Sequence, residues 1–286
     1  MRQVYGRVCR PLCPRHDLPG TGCRIPLSFM AGTMGRTLSI TTTAGRHFLT
    51  DRIREEVDFW NTPQSSGEAP PPLQKPVPEG RNIIQLPGRD EWHIPSCDLL
   101  TAIGKRESHR RFLPDPLSLK ELSMLLWATQ GVRSVVHEAA VLRTVPSAGC
   151  RHPFETYFAA LRVGGLAPAL YRYLPLEHGL LLEKEPESLA VSLVAAAHGQ
   201  RFVAQAAGCF IWTAIPARTE WRYAEASYKV IALDAGHVCQ NLYLACEAIG
   251  AGTCAIAAYR QDLMDGLLGV DGNDEFTIYI APVGKV

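Results

Sequence analysis

Residues 105–112 read KRESHRRF, and residues 146–153 read PSAGCRHP. In the first stretch Arg106, Ser108 and Arg110 occupy alternate positions. On an extended backbone alternate side chains share one face. Two guanidinium forks and a hydroxyl then form a donor cluster of phosphate size. In the second stretch Pro146, Ser147, Ala148 and Gly149 are all compact. Such residues let a flat ligand approach the backbone, whose N–H groups can then donate to it. One phosphate cluster beside one platform for a planar ring is the recognition chemistry of flavin mononucleotide, FMN. No second phosphate cluster accompanies it, which favours FMN over FAD.

Outward from these stretches, the chain alternates helical and strand signals. CDLLTAIGKR (97–106) predicts a helix running into the arginine motif. Ser118 and Glu121 form a capping box ahead of Leu119, Leu122, Leu125 and Leu126, and Gly131 is the expected stop. FETYFAALRV (154–163) and ALYRYL (169–174) read as strands joined at Gly164–Gly165. A helical region is expected over 187–206, a buried strand over 209–215, a short helix over 263–269 and a last strand over 276–283. Residues 227–249 form the longest helix candidate; being apolar nearly all round, it is expected to be buried. The elements mix without strict βαβ alternation, which predicts an α+β fold.

Five segments in one order carry a resemblance. They are RESHRRF (106–112), PLSLKELSMLLWATQG (116–131), PSAGCRHPFETY (146–157), WRYAEASYKVIALDAGHVCQNLYLACEAIGAGTC (221–254) and IAPVGKV (280–286). Together they resemble the nitroreductase superfamily, and more narrowly its SagB-type branch of azoline dehydrogenases, the thiazole/oxazole-forming oxidases. The resemblance implies a central antiparallel sheet flanked by helices, a homodimer, and an FMN-dependent oxidoreductase that moves hydride through flavin N5 to or from a small organic substrate. NAD(P)H is the implied transient electron donor, since no G-x-G-x-x-G nucleotide site is present.

The resemblance also assigns residues. Arg106, Ser108 and Arg110 match the family's grip on the cofactor phosphate; a solvated basic surface is the plain alternative. Pro146, Ser147, Ala148 and Gly149 match a segment that lies against the flavin ring, commonly from the partner subunit, and otherwise form a simple turn. Cys150 stands where some relatives carry Asn. In GAGTCAIAAY (250–259), Ala257 and Ala258 match positions whose backbone N–H groups read flavin N5. Lys285 is either a further phosphate ligand or a solvated terminal lysine.

Arg222 and Tyr223 match a catalytic Lys-Tyr pair. The azoline-oxidising relatives have K-Y-G-x-R-x-Y-R, and here the chain reads R-Y-A-E-A-S-Y-K. Arginine stays protonated and cannot serve as a base. Reduction is therefore the expected direction. An azoline dehydrogenase acting on a ribosomal peptide, and a non-catalytic flavin-binding subunit, are the alternatives. His237 reads as a core residue of the long helix, with Asp234 and Gln240 as helical neighbours.

Composition bounds the rest. The 286 residues are 47% hydrophobic and 20% charged with a formal net charge of +1, which points to neither nucleic acid nor an anionic membrane as partner. No apolar run is long enough to span a bilayer. The nine cysteines are scattered, and Cys97, Cys209, Cys239, Cys246 and Cys254 lie in apolar surroundings, so a reducing cytoplasmic setting is expected. Residues 1–33 read as a disordered leader with Met34 as an alternative start; the spacing of Cys9, Cys13, His16 and Cys23 fits no common zinc site, and no metal is expected. Residues 34–96 read as an N-terminal extension with a short helix over 46–60 and the proline-rich strap APPPLQKPVPEG (69–80). Residues 97–286 form the expected FMN-binding domain.

Overall fold

A computed structural model of the chain describes residues 42–137 and 140–286. The leader and its cysteines lie outside the described residues. The first strand, β1 (Ile83–Gln85), is followed by a two-stranded hairpin, β2 (Val132–His137) and β3 (Ala140–Arg143). Then come β4 (Phe154–Ala160), β5 (Ala169–Leu174), β6 (Gly179–Lys184), β7 (Gly208–Ala214), β8 (Ala251–Thr253) and β9 (Phe276–Lys285). Apart from the hairpin these strands form one sheet in the order β1-β6-β5-β4-β7-β9-β8. Every pairing in it is antiparallel.

Alternation along the central strands fills two cores. Phe158, Phe210 and Trp212 point to one side and meet α4 (Leu119–Gln130) and α8 (Ser227–Glu247). Tyr157, Cys209 and Ile211 point to the other and meet α5 (Leu189–Ala196), α6 (Phe202–Gln205) and α9 (Gln261–Leu268). The result is an α+β sandwich with the sheet in the middle. The period of two that separates these residue sets is that of a sheet buried on both faces.

The helix signals translate locally. Ser118 and Glu121 complete a reciprocal capping box at α4, and the Gly131 N–H closes the helix on the Trp127 carbonyl. The single helix expected over 46–60 is instead two, α1 (Thr42–Leu49) and α2 (Ile53–Glu56). The expectation that the long helix is buried all round is also corrected. In α8 Ile231, Ala235, Val238, Leu242 and Cys246 are buried, but Leu233, Gly236, His237 and Gln240 form an exposed stripe. Cys97 is exposed too, while Cys209, Cys239, Cys246 and Cys254 are buried free thiols.

The proline-rich segment crosses a buried polar cluster on the sheet. Prolines bring no N–H to a ladder, so the segment engages through its carbonyls. Arg143 donates to the Leu73 carbonyl at 2.8 Å, and Arg172 donates to those of Lys75 and Pro76 at 3.0 and 3.1 Å. In return the Lys75 N–H donates to buried Glu155 at 2.8 Å. Glu155 also holds Arg218 at 2.5 Å and Arg172 at 3.5 Å. The Lys75 ammonium pairs with Glu275 at 2.5 Å, and Tyr157 and Thr213 donate to the same carboxylate. Among the described residues no helix is long and apolar enough to cross a membrane, and no three His, Cys, Asp or Glu side chains gather as a metal site.

Candidate functional site

The arginine motif begins where α3 (Leu99–Lys105) stops. Asp98 caps the helix start, and the Arg106 N–H bonds the Ala102 carbonyl while its ψ of 119° turns the chain extended. The extended stretch then lies along β8. Ser108 bridges Thr253, and the His109 N–H donates to the Thr253 carbonyl at 2.9 Å. This pairing sorts the side chains by parity. Ser108 lies 2.9 Å from the Tyr243 hydroxyl, and the Arg106 guanidinium sits 5.3 Å from the centre of the Tyr243 ring. Arg110 acts on the same neighbourhood: burial raises the Cys254 thiol pKa, and the charge of Arg110 and a hydrogen bond with Ser108 oppose that rise.

Glu107 and His109 occupy the other parity, 3.7 Å apart. The His109 ring packs on Gly252, where a Cβ would lie 2.5 Å from it; only glycine allows strand and motif to approach so closely. Among the described residues no carboxylate pairs with Arg106 or Arg110. A pair of guanidiniums without a resident anion, beside an exposed hydroxyl, is a donor set that fits a phosphate.

The small-residue platform is held from the other end of α8. The Ala148 N–H donates to Asp234 at 3.1 Å, and the His152 N–H donates to the Ser147 hydroxyl at 2.9 Å. Burial raises the Asp234 pKa, against hydrogen bonds from Ser147 and Ala148. Gly149, Cys150 and His152 have φ of 57°, 54° and 48°. Glycine takes this region freely, whereas Cys150 and His152 concentrate backbone strain at this turn.

Gly149 also receives the predicted catalytic pair. A Cβ on Gly149 would lie 2.8 Å from both Arg222 Cδ and the Tyr223 hydroxyl. Both residues come from the end of α7 (Ala217–Tyr223), with the Arg222 guanidinium 5.6 Å from the Tyr223 ring centre.

The structure thus gathers the predicted residues into two groups rather than one. Arg106, Ser108 and Arg110 meet α8 at Tyr243, whereas Pro146–Gly149, Arg222 and Tyr223 gather near Asp234. Nine helical residues separate these anchors, or about 13 Å along the axis and half a turn around it. The two groups therefore flank α8 on opposite sides within one chain.

Ala257 and Ala258 are exposed just after β8, and the Ala258 carbonyl accepts from Gln200 at 3.2 Å. Lys285 is neither solvated nor unengaged: its ammonium pairs with Glu121 at 2.5 Å and donates to the Ile249 carbonyl at 2.6 Å. His237 is half exposed and 3.9 Å from Asp234, so it is not the core residue expected. Sequence reasoning missed Tyr243 and the anchoring role of Asp234. The available signal was a polar group on the buried side of an otherwise apolar helix.

The model of the nitroreductase family matches residues 103–285. A protein named as a nitroreductase in Methanocaldococcus jannaschii, MJ1384, is 32% identical over 202 residues, covering 71% of this chain and 96% of its own. The trifolitoxin-processing protein TfxB of Rhizobium leguminosarum bv. trifolii is 28% identical over 198 residues, covering 64% of this chain; the match spans 53% of TfxB. A crystal structure from Ralstonia eutropha JMP134, also titled as a nitroreductase, superposes with a TM-score of 0.60 at 27% identity, covering 76% of this chain and 94% of that one. With a sheet and helix layers of the same kind and a family match over most of its length, this chain belongs to the nitroreductase family.

Proposed function

We propose that the chain is an FMN-dependent oxidoreductase that reduces a small organic substrate, with NAD(P)H as electron donor. The observation that carries this reading is the cluster of Arg106, Ser108 and Arg110, which among the described residues has no carboxylate partner and has its hydroxyl backed by Tyr243. These three residues would hold the cofactor phosphate, and the Pro146–Gly149 backbone would lie against its ring. FMN, when bound, supplies hydride chemistry that side chains lack. The chain's own part is to bind, orient and shield. Tyr223 and Arg222 border the platform, where a protonated guanidinium favours negative charge on a substrate rather than removal of a proton.

The working assembly in this reading is a homodimer. Platform and clamp of one chain face opposite sides of α8, so a site that uses both needs a second copy, and the exposed stripe of α8 is available for it. A SagB-type place within the family, with azoline oxidation on a peptide, is the second reading. The likeness to a toxin-processing protein and the retained Tyr223 favour it; Arg222 in place of lysine weighs against it.

The test is direct. The purified protein is expected to be yellow and to release FMN, not FAD, on denaturation. Anaerobic NADH or NADPH should bleach the flavin band, and a nitroaromatic or quinone should restore it. A colourless protein that binds no added FMN overturns the proposal.

A further inference from the structure

Residues 54–65 precede the family match, yet they meet the residues just placed beside the flavin platform. The Gln64 N–H donates to the Trp221 carbonyl at 2.8 Å, and the Trp221 indole N–H donates to the Glu68 carbonyl at 3.0 Å. Buried Thr62 bonds the Ser65 hydroxyl at 3.0 Å, and Ser65 in turn donates to the Phe59 carbonyl at 2.7 Å. These bonds fasten the segment onto α7 at the residue before Arg222. Between them lies an open cavity of 360 Å³ lined by Arg54, Phe59, Thr62, Gln64, Ser65, Arg222 and Tyr223.

The chemistry of that lining is one-sided. Among the described residues it contains two guanidiniums, three hydroxyl-bearing residues, an amide and two aromatic rings (one of them the Tyr223 phenol), and no carboxylate. Each guanidinium stands near one of the rings: Arg54 is 5.9 Å from the Phe59 centre and Arg222 is 5.6 Å from that of Tyr223. Asp51 takes Arg54 Nε at 2.8 Å and does not itself line the cavity. It fixes the planar fork and leaves the terminal nitrogens to donate. Among the described residues Arg222 has no ion pair.

We propose that this cavity is the substrate pocket and that it selects a planar aromatic substrate bearing a carboxylate, with Arg54 from outside the family domain as the specificity-determining residue. The proposal rests on the flavin-oxidoreductase reading for calling the ligand a substrate. The anion preference of the cavity stands on its own lining.

Equilibrium binding tests it without any turnover. Calorimetric titration of the full-length protein with 4-nitrobenzoate and with 4-nitrobenzamide compares one charge at nearly constant shape. The carboxylate is expected to bind about tenfold tighter, the scale of one charge-assisted contact. Arg54→Gln should cut that preference to about twofold, and Gln64→Glu should abolish or reverse it, while Arg201→Gln outside the pocket leaves it intact. Arg54→Lys keeps the charge but loses the fork and should fall between. Equal binding of the two probes, no measurable binding of either, or a preference that survives both Arg54→Gln and Gln64→Glu overturns the proposal. Lack of bound flavin would sink the oxidoreductase reading and leave this preference measurable; a flavoprotein without the preference would do the reverse.

Discussion

The Ser108 and Tyr243 hydroxyls lie 2.9 Å apart, and the Tyr243 oxygen also accepts the Ala255 N–H at 2.8 Å. With one acceptor site filled by a backbone donor, the phenol can turn its own proton to Ser108. The serine O–H is then able to turn to the Cys254 sulfur or to a ligand. A helix residue thus meets a hydroxyl 135 positions away in sequence.

This relay gives the first prediction. Arg106→Ala with Arg110→Ala should lower FMN affinity by about a hundredfold or more, since each charge-assisted contact contributes roughly 1.5–3 kcal/mol. Tyr243→Phe should cost less, about tenfold, because it removes the backing hydrogen bond but not a charge. Fluorescence titration of the apoprotein with FMN measures both. Full flavin retention in the double variant would remove the clamp assignment.

Gly149→Ala is expected to destabilise the chain by about 1–2 kcal/mol, the cost of placing a side chain in the left-handed region. The new methyl would also meet Arg222 and Tyr223 at 2.8 Å, so the flavin absorption band should shift. Urea unfolding and the visible spectrum check the two effects. An unchanged spectrum would separate the glycine from the cofactor.

If Arg222 stands where a base would be needed for azoline oxidation, Tyr223→Phe should change quinone or nitroaromatic turnover by less than about tenfold, or about 1.4 kcal/mol in the barrier. Arg222→Lys should raise activity on a small azoline peptide. Efficient azoline oxidation by the unaltered protein, lost in Tyr223→Phe, would transfer the argument to the peptide-modifying reading.

His152 offers a pH test. Burial, and after it the charge of Arg143, pushes its imidazole down to about 3. The unfolded chain therefore binds a proton near pH 6.5 that the folded chain refuses. Stability should fall as pH drops from about 6.5 towards 3, by about 2 kcal/mol between pH 7 and pH 5. His152→Gln should flatten that slope in thermal melts across this range. A variant with the same slope as the parent would place the acid sensitivity elsewhere.

The sequence revealed the parts that rest on local chemistry. The Ser118–Glu121 box, the Gly131 stop and the strands around Gly164–Gly165 all use signals within a few residues. Strands β1 and β8 are three residues long and exist only because β6 and β9 pair with them, so no periodicity could announce them. The parity of Arg106, Ser108 and Arg110 was legible. Their separation from Pro146–Gly149 by half a turn of α8 was not, because it depends on which flank of the helix each loop reaches. His237 was misjudged, and the partnership of Lys285 with Glu121 went unforeseen, for a related reason: exposure and long-range partners are set by residues far along the chain.

The proline-rich segment has a practical corollary. The nitroreductase-family model matches from residue 103, yet Lys75 caps both Glu155 and Glu275, and the carbonyls of Leu73, Lys75 and Pro76 occupy Arg143 and Arg172. A chain cut at residue 103 would keep Arg106, Ser108 and Arg110 and lose the counter-charges and acceptors of its sheet face. Uncompensated buried charge is among the costlier defects a fold can carry. The buried charges of the sheet face therefore draw their partners from chain upstream of the matched region, from Leu73 onward.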